Sequence, residues 1–199
     1  MESKFWDERY NEPGFAYGLE ANDYLVSISD QLKPNSNILC IAEGEGRNAI
    51  YLAKQGHQVT VMDYSFVGLD KLSRYAALNS LQIETIHQDL NHYEFEENKW
   101  DVIVCIFGHF NKNLREKVFK SVYNSLKADG IFIMESYSEL QLKNNTGGPQ
   151  ALEMLYSIDE LATYFNNYSN IRINKTERMI NEGKYHNGKS STIQILAKK

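Results

Sequence analysis

Proline and cysteine are scarce in this chain, and several familiar features are missing altogether. Three prolines among 199 residues exclude a proline-rich linker or a collagen-like repeat. The two cysteines, Cys40 and Cys105, both fall inside strand-like apolar runs. They are too few for a disulfide framework and lack the paired spacing of a zinc site, so buried free thiols in a reducing compartment are expected. No apolar run approaches the roughly 20 residues that span a bilayer. The opening residues, Met1 to Trp6, lack the basic-then-apolar form of a signal peptide, and a cytoplasmic protein with no membrane contact is expected. An excess of positive charge is also missing. A net charge of −5 argues against nonspecific attraction to nucleic acid or anionic lipid. No internal repeat or low-complexity tract is visible.

What remains is ordinary globular composition, 42% apolar and 24% charged, with the length of one domain, residues 1–199, around one core. The stretch that organises it runs from Asn37 to Asn48. Apolar Ile38 to Ala42 passes into a turn holding Gly44 and Gly46, and Ala49 to Ala53 follows at helical spacing. This predicts a buried strand, a tight glycine turn and a helix N-terminus. Gly56 ends that helix, and His57 to Met62 forms a second strand ending in Asp63. Ser65 caps a helix that starts near Phe66. Ile83 to His87 is a third strand, ending at Gln88-Asp89. The run Val102 to Ile106 has the continuous apolarity of a central parallel strand covered on both faces. An amphipathic helix over Leu114 to Leu126 precedes a strand over Ile131 to Glu135. Residues 137–150 form a long loop, and Ser157 with Glu160 opens a helix running to about Phe165. Ile171 to Met179 and Ser190 to Ala197 predict an antiparallel hairpin, with Gly183 and Asn187-Gly188 in its turn. The fold class is therefore α/β, a doubly wound, Rossmann-like, mostly parallel seven-stranded sheet with a C-terminal antiparallel hairpin. Ahead of it, a helix is expected from Asn22 to Leu32. Residues 1–20 form an aromatic arm, either packed on the domain or serving as a lid with Trp6, Arg9 and Tyr17 toward a ligand.

Carboxylates stand at three successive strand ends: Glu43 with Glu45, then Asp63, then Asp89. Strand ends share one rim of such a sheet, where nucleotide-like ligands bind. Asp63 lies at the distance along the chain at which a carboxylate meets ribose hydroxyls, and Asp89 with Leu90 suits an adenine. A nicotinamide or flavin dinucleotide is a rival ligand. It needs a pyrophosphate on the helix N-terminus, and Glu43 and Glu45 place negative charge there that Arg47 offsets only partly. A P-loop is excluded because no Gly-Lys-Ser/Thr follows the turn. A ligand with a cationic centre and no phosphate, such as S-adenosylmethionine, fits the charges better.

The succession Ile-Leu-Cys-Ile-Ala-Glu-Gly-Glu-Gly-Arg-Asn, Val-Thr-Val-Met-Asp-Tyr-Ser, His-Gln-Asp-Leu and Trp-Asp-Val-Ile-Val resembles the class I S-adenosylmethionine-dependent methyltransferases. It is most similar to small bacterial members grouped with the tellurite-resistance and thiopurine methyltransferases. The likeness extends to the aromatic arm, the Thr146-Gly147-Gly148-Pro149 loop and the Glu182 to His186 turn. It departs at Ala42, where the family commonly has glycine. The resemblance implies S-adenosylmethionine as cofactor. Glu43, Gly44, Glu45, Gly46 and Asn48 would lie around its methionine portion, and Asp63, Tyr64 and Ser65 around the ribose. Gln88, Asp89 and Leu90 would take the adenine, Ile106 would lie beneath the sulfonium, and Tyr17 with Gly18 would close over it.

For chemistry, His109 after the fourth strand is the candidate base, because its ordinary pKa is near neutrality; the alternative is a loop histidine that only shapes the pocket. Tyr137, Tyr185 and His186 are candidates for the acceptor side. No metal is expected, since His57, His87 and His92 lack ligand spacing. The segment Phe107-Gly108-His109-Phe110 lacks the proline-containing motif of amino-methylating DNA enzymes. A small-molecule acceptor is therefore expected, such as a thiol or a chalcogen oxyanion like tellurite. A non-catalytic S-adenosylmethionine-binding protein and an NAD-dependent oxidoreductase are the competing functions.

Overall fold

The computed structural model describes residues 3–199. Seven strands form one sheet in the order β3-β2-β1-β4-β5-β7-β6. They are β1 (Asn37–Ile41), β2 (Gln58–Asp63), β3 (Ile83–His87), β4 (Trp100–Ile106), β5 (Leu126–Tyr137), β6 (Asn170–Glu182) and β7 (His186–Lys198). The first five are parallel to one another, while β7 runs antiparallel to both β5 and β6. The helices are α1 (Ser3–Tyr10), α2 (Asp23–Ile28), α3 (Arg47–Lys54), α4 (Phe66–Leu78), α5 (Lys112–Ser125) and α6 (Ile158–Tyr164). Among the described residues no helix is long and apolar enough to cross a membrane.

Side-chain alternation explains why β1 and β4 are apolar throughout. Leu39 and Ile41 face one apolar layer with Ile103, Cys105, Val118, Phe119 and Phe165. Ile38 and Cys40 face the other, with Val102, Val104, Ile50, Leu52, Leu69 and Leu72. A central strand covered on both faces has no side left for polar residues. The ligand-facing turns therefore begin where these strands end, as the sheet's parallel register requires.

Several boundaries differ from the sequence-based expectation. The aromatic arm begins as a helix, α1, because Trp6 and Tyr10 stand one turn apart and stack with centroids 5.6 Å apart. The helix expected from Asn22 to Leu32 stops at Ile28 and continues as a 3₁₀ turn. The terminal hairpin is longer and its turn shorter than expected. Glu182 pairs with His186 and Ile180 with Gly188, so Asn187-Gly188 lies within β7 and only residues 183–185 turn. Gly183 fits there because its φ is 62° and a Cβ would meet the Tyr17 carbonyl carbon at 2.4 Å. Expected helix caps are present: Ser65 Oγ accepts the Gly68 N–H at 3.1 Å and Ser157 Oγ the Glu160 N–H at 3.2 Å.

Candidate active site

The C-terminal ends of β1, β2, β3 and β4 open on a single cleft, roofed by the arm and flanked by the hairpin turn. Its floor starts at Ala42, the first residue after β1. Ala42 has φ 51°, and Phe107 after β4 has φ 54°. Both are left-handed conformations that cost a residue with a Cβ about 1–2 kcal/mol. The family's usual glycine at position 42 therefore answers a backbone requirement rather than a contact.

Beyond Ala42, the turn is organised by carboxylates. Glu43 is buried, and its Oε1 accepts the backbone N–H groups of Asn48 at 2.8 Å and Ala49 at 3.2 Å. Its Oε2 accepts the Asn48 side-chain amide at 3.1 Å. These are the orphan donors of the first turn of α3, the groups that hold a phosphate in dinucleotide-binding folds. Burial pushes the Glu43 carboxyl above its ordinary range, against the downward pull of Asn48 and Arg47. Glu45 has a different partner: Lys71 Nζ donates to it at 2.5 Å, and it accepts the Ala16 N–H at 2.7 Å. Lys71 also donates to the carbonyls of Tyr10, Glu12 and Gly14, so this pair fastens the arm to α4. Arg47, expected to offset the charge of the glutamates only partly, acts on Glu43 through its charge while its guanidinium donates to Glu182 at 2.6 Å. The charge that Arg47 was expected to offset only partly is offset further: Glu43 caps the helix and Lys71 pairs with Glu45. Lys71 carried no signal in the sequence, because only the packing of α4 brings it to the turn.

Asp63 ends β2 and is buried. Its oxygens accept the backbone N–H groups of Gly44 at 2.9 Å and Ser65 at 2.8 Å, and the Tyr64 N–H as well. A carboxylate has about four acceptor positions, so a ligand hydroxyl can still be received. Burial raises its pKa to about 6, and Asp7 adds to the rise. Asp89 accepts the backbone and side-chain N–H groups of Asn91 at 2.8 and 2.9 Å.

Of the residues singled out from sequence, Tyr17, Gly18, Glu43, Glu45, Gly46, Asn48, Asp63, Tyr64, Gln88, Asp89, Leu90 and Ile106 line the cleft, as do His109 and His186. Gly44 and Ser65 do not. Gly44 lies under Tyr10, whose hydroxyl would sit 2.3 Å from an added Cβ, and Ser65 is fully buried, its hydroxyl donating to Asp7 at 2.5 Å. Tyr137 and Tyr185 also stand behind the lining. Tyr137 is buried against Phe107, and Tyr185 hydrogen-bonds Glu12 beneath the Arg9 guanidinium. Trp6, Met62, Phe107, Phe110, Leu114 and Met154 complete the walls. Met154, from a 3₁₀ turn (Leu152–Met154) just after the long loop, had no sequence signal at all.

His109 lacks the property that recommended it as a base. Its ring nitrogens are buried, and burial, outweighing a contact with the Met154 backbone, lowers its pKa to about 3. It is neutral at pH 7 and a weak proton acceptor.

Residues 38–130 match the family model described as "Methyltransferase domain". The Bacillus subtilis (strain 168) protein YqeM is 29% identical over 119 residues, 58% of this chain and 48% of YqeM. YbaJ of the same organism, described as an uncharacterized methyltransferase, is 34% identical over 98 residues, 48% of this chain and 38% of YbaJ. The chain thus spans half or less of the length of these curated relatives. Among solved structures, TehB from Haemophilus influenzae superposes with a TM-score of 0.75 at 19% identity, covering 99% of this chain and 66% of TehB. The structural likeness concerns the fold; the sequence match concerns the domain that carries the glycine turn, Asp63 and Asp89. Residues 38–130 are thus a methyltransferase domain, set in a sheet with the fold of the class I S-adenosylmethionine-dependent methyltransferases.

Proposed function

We propose that this chain transfers a methyl group from S-adenosylmethionine to a small-molecule acceptor. The observation that carries the proposal is the position of Glu43. It consumes the N–H groups of α3 that a dinucleotide's pyrophosphate requires, while Asp63 leaves acceptor capacity for a hydroxyl at the adjacent strand end. The site fits an adenosine without phosphates. Asp63 would hold the ribose, Asp89 and Leu90 the adenine, and the turn from Glu43 to Gly46 the methionine portion. When bound, the cofactor supplies a methyl group on a sulfonium.

What the chain contributes is alignment and exclusion of water. In-line displacement gains most from holding the reacting groups in register. The arm supplies the roof: the Tyr17 ring lies 4.4 Å from His186, its hydroxyl accepts from Arg9 at 2.7 Å, and the Lys184 N–H donates to the Ala16 carbonyl at 2.8 Å. Phe107, His109 and His186 line the cleft and would face the acceptor. A thiol or a chalcogen oxyanion, the classes expected from the family resemblance, is the acceptor to test.

Incubation with labelled S-adenosylmethionine and a panel of thiols, selenite and tellurite tests the proposal. Label in a methylated product supports it. Tight donor binding without turnover on any acceptor would favour the non-catalytic alternative.

A further inference from the structure

β6 is an edge of the sheet: β7 pairs with its inner side, and no strand pairs with its outer side among the described residues. The edge is long. Its pairing with β7 runs from Asn170 to Glu182 without a register shift, so no β-bulge turns the outer side away. Pro13, Pro34 and Pro149, the only prolines, all lie elsewhere. The opposite edge, β3, has five residues. A long, straight edge presents a row of unpaired N–H and C=O groups that recruits another strand unless it is bulged, covered or charged.

Charge is the one such device that β6 carries, in Arg172, Lys175, Glu177 and Arg178. Its arrangement does not repel a second copy of the same strand. Thr176 is the midpoint of Asn170–Glu182. When two copies of β6 lie antiparallel about that point, Lys175 faces Glu177 twice and Ile173 faces Met179 twice. Lys175 and Glu177 are exposed, and Met179 is 70% exposed. Lys175 has no ion pair among the described residues, while Glu177 meets only Lys189, at 2.8 Å. Opposite-charge and apolar pairs of this kind stabilise an antiparallel ladder, and like charges directly opposite destabilise it.

The alternatives nearby are worse. A two-fold axis through the sheet keeps each side chain on its own face, and successive residues alternate faces, so the pairing slides only in steps of two. One step opposes Lys175 to Lys175 and Arg172 to Arg178. The step the other way opposes Glu177 to Glu177. The register that overlaps all 13 residues of β6 is thus also the one that pairs unlike charges.

We propose that β6 is a homodimer interface, on which a second copy of this chain lays its own β6 antiparallel about Thr176 and joins the two sheets into one. Glu182 then faces Asn170 of the second copy, so the join reaches the hairpin turn that flanks the cleft. At about 3.4 Å per residue the shared edge is about 44 Å long and one sheet thick. That is a narrower contact than the standard interface of about 800 Å² per partner, and the dimer is expected to dissociate on dilution.

Sedimentation equilibrium of the full chain across a dilution series tests this. The expected result is a monomer–dimer equilibrium whose mass rises toward twice the 23.0 kDa of one chain; a monomer at every concentration would overturn the proposal. Lys175→Glu and Glu177→Lys each place two like-charge contacts in the dimer. Each alone is expected to weaken dimerisation about tenfold, with the melting temperature retained because both side chains are exposed. The two together reverse the charge pair without abolishing it and are expected to restore dimerisation. Dimerisation indifferent to both single substitutions, or no recovery in the double variant, would overturn the proposal. Amide exchange gives a reading without any variant. Every second N–H of β6 points away from β7, and these are expected to become protected as the dimer forms. Unchanged exchange there in a dimeric sample would place the interface elsewhere and overturn the assignment to β6.

Discussion

Glu43 and Asn48 close the N-terminus of α3 to any phosphate, since the carboxylate accepts both the backbone and the side-chain N–H groups of Asn48, at 2.8 and 3.1 Å. Asn48 extends the same chain of contacts by accepting the Asn22 backbone N–H at 2.9 Å. Asn22 in turn donates to Glu135 at 2.6 Å and Glu182 at 3.0 Å. The glycine turn, the entry to α2 and the hairpin tip are thus one connected polar unit, and loss of any buried member leaves others unpaired.

Glu43→Ala is expected to destabilise the chain by about 1–3 kcal/mol, because two or more buried N–H groups lose their acceptor. Urea unfolding measures it. A change near zero would mean that the carboxylate does not cap α3 in solution.

Asp63→Ala is expected to weaken S-adenosylhomocysteine binding by more than about 1.4 kcal/mol, or tenfold, from lost charge-assisted hydrogen bonds. Isothermal calorimetry reads this directly, and unchanged affinity would remove Asp63 from the ribose site.

Affinity should also depend on pH through the same residue. With its pKa near 6 in the ligand-free chain, Asp63 is a carboxylate above that value and largely neutral below it. Binding to hydroxyls favours the charged form, so affinity is expected to rise by about tenfold from pH 5 to pH 7 and then level off. The stability of the ligand-free chain moves the other way. A carboxyl whose folded pKa is raised contributes stability that is fully present below the unfolded value and lost as pH rises through about 6. Calorimetry and thermal melts across pH 4–8 give both signs.

Ala42→Gly is expected to stabilise the chain by about 1 kcal/mol, since φ 51° is a left-handed conformation that glycine enters without the Cβ penalty. Gly183→Ala should do the reverse. Its Cβ would lie 2.4–2.5 Å from the backbone of Ala16 to Gly18, so the arm must lift. Limited proteolysis between residues 11 and 20 is expected to quicken, and an unchanged cleavage rate would show that the hairpin does not hold the arm.

The parallel half of the sheet was legible because burial on both faces writes itself as unbroken apolar runs, as at Val102 to Ile106. The glycine turn, Asp63 and Asp89 were legible because strand ends share a rim whatever the details of packing. Partnership was not. Lys71 reaches Glu45, and Arg47 reaches Glu182, only after α4 and the hairpin have packed. The same holds for the fate of Ser65, whose hydroxyl is spent on α4 and Asp7. His109 shows the limit most sharply. A loop position and an ordinary pKa recommended it, and burial, which no local pattern encodes, lowers that pKa to about 3.

The central claim is that the cleft takes an adenosine-based methyl donor and cannot take a dinucleotide. Calorimetric titration of the purified chain with S-adenosylmethionine and, separately, with NADH tests it most directly. Saturable binding of S-adenosylmethionine at a 1:1 ratio with no heat from NADH is the predicted result; binding of NADH alone would contradict it.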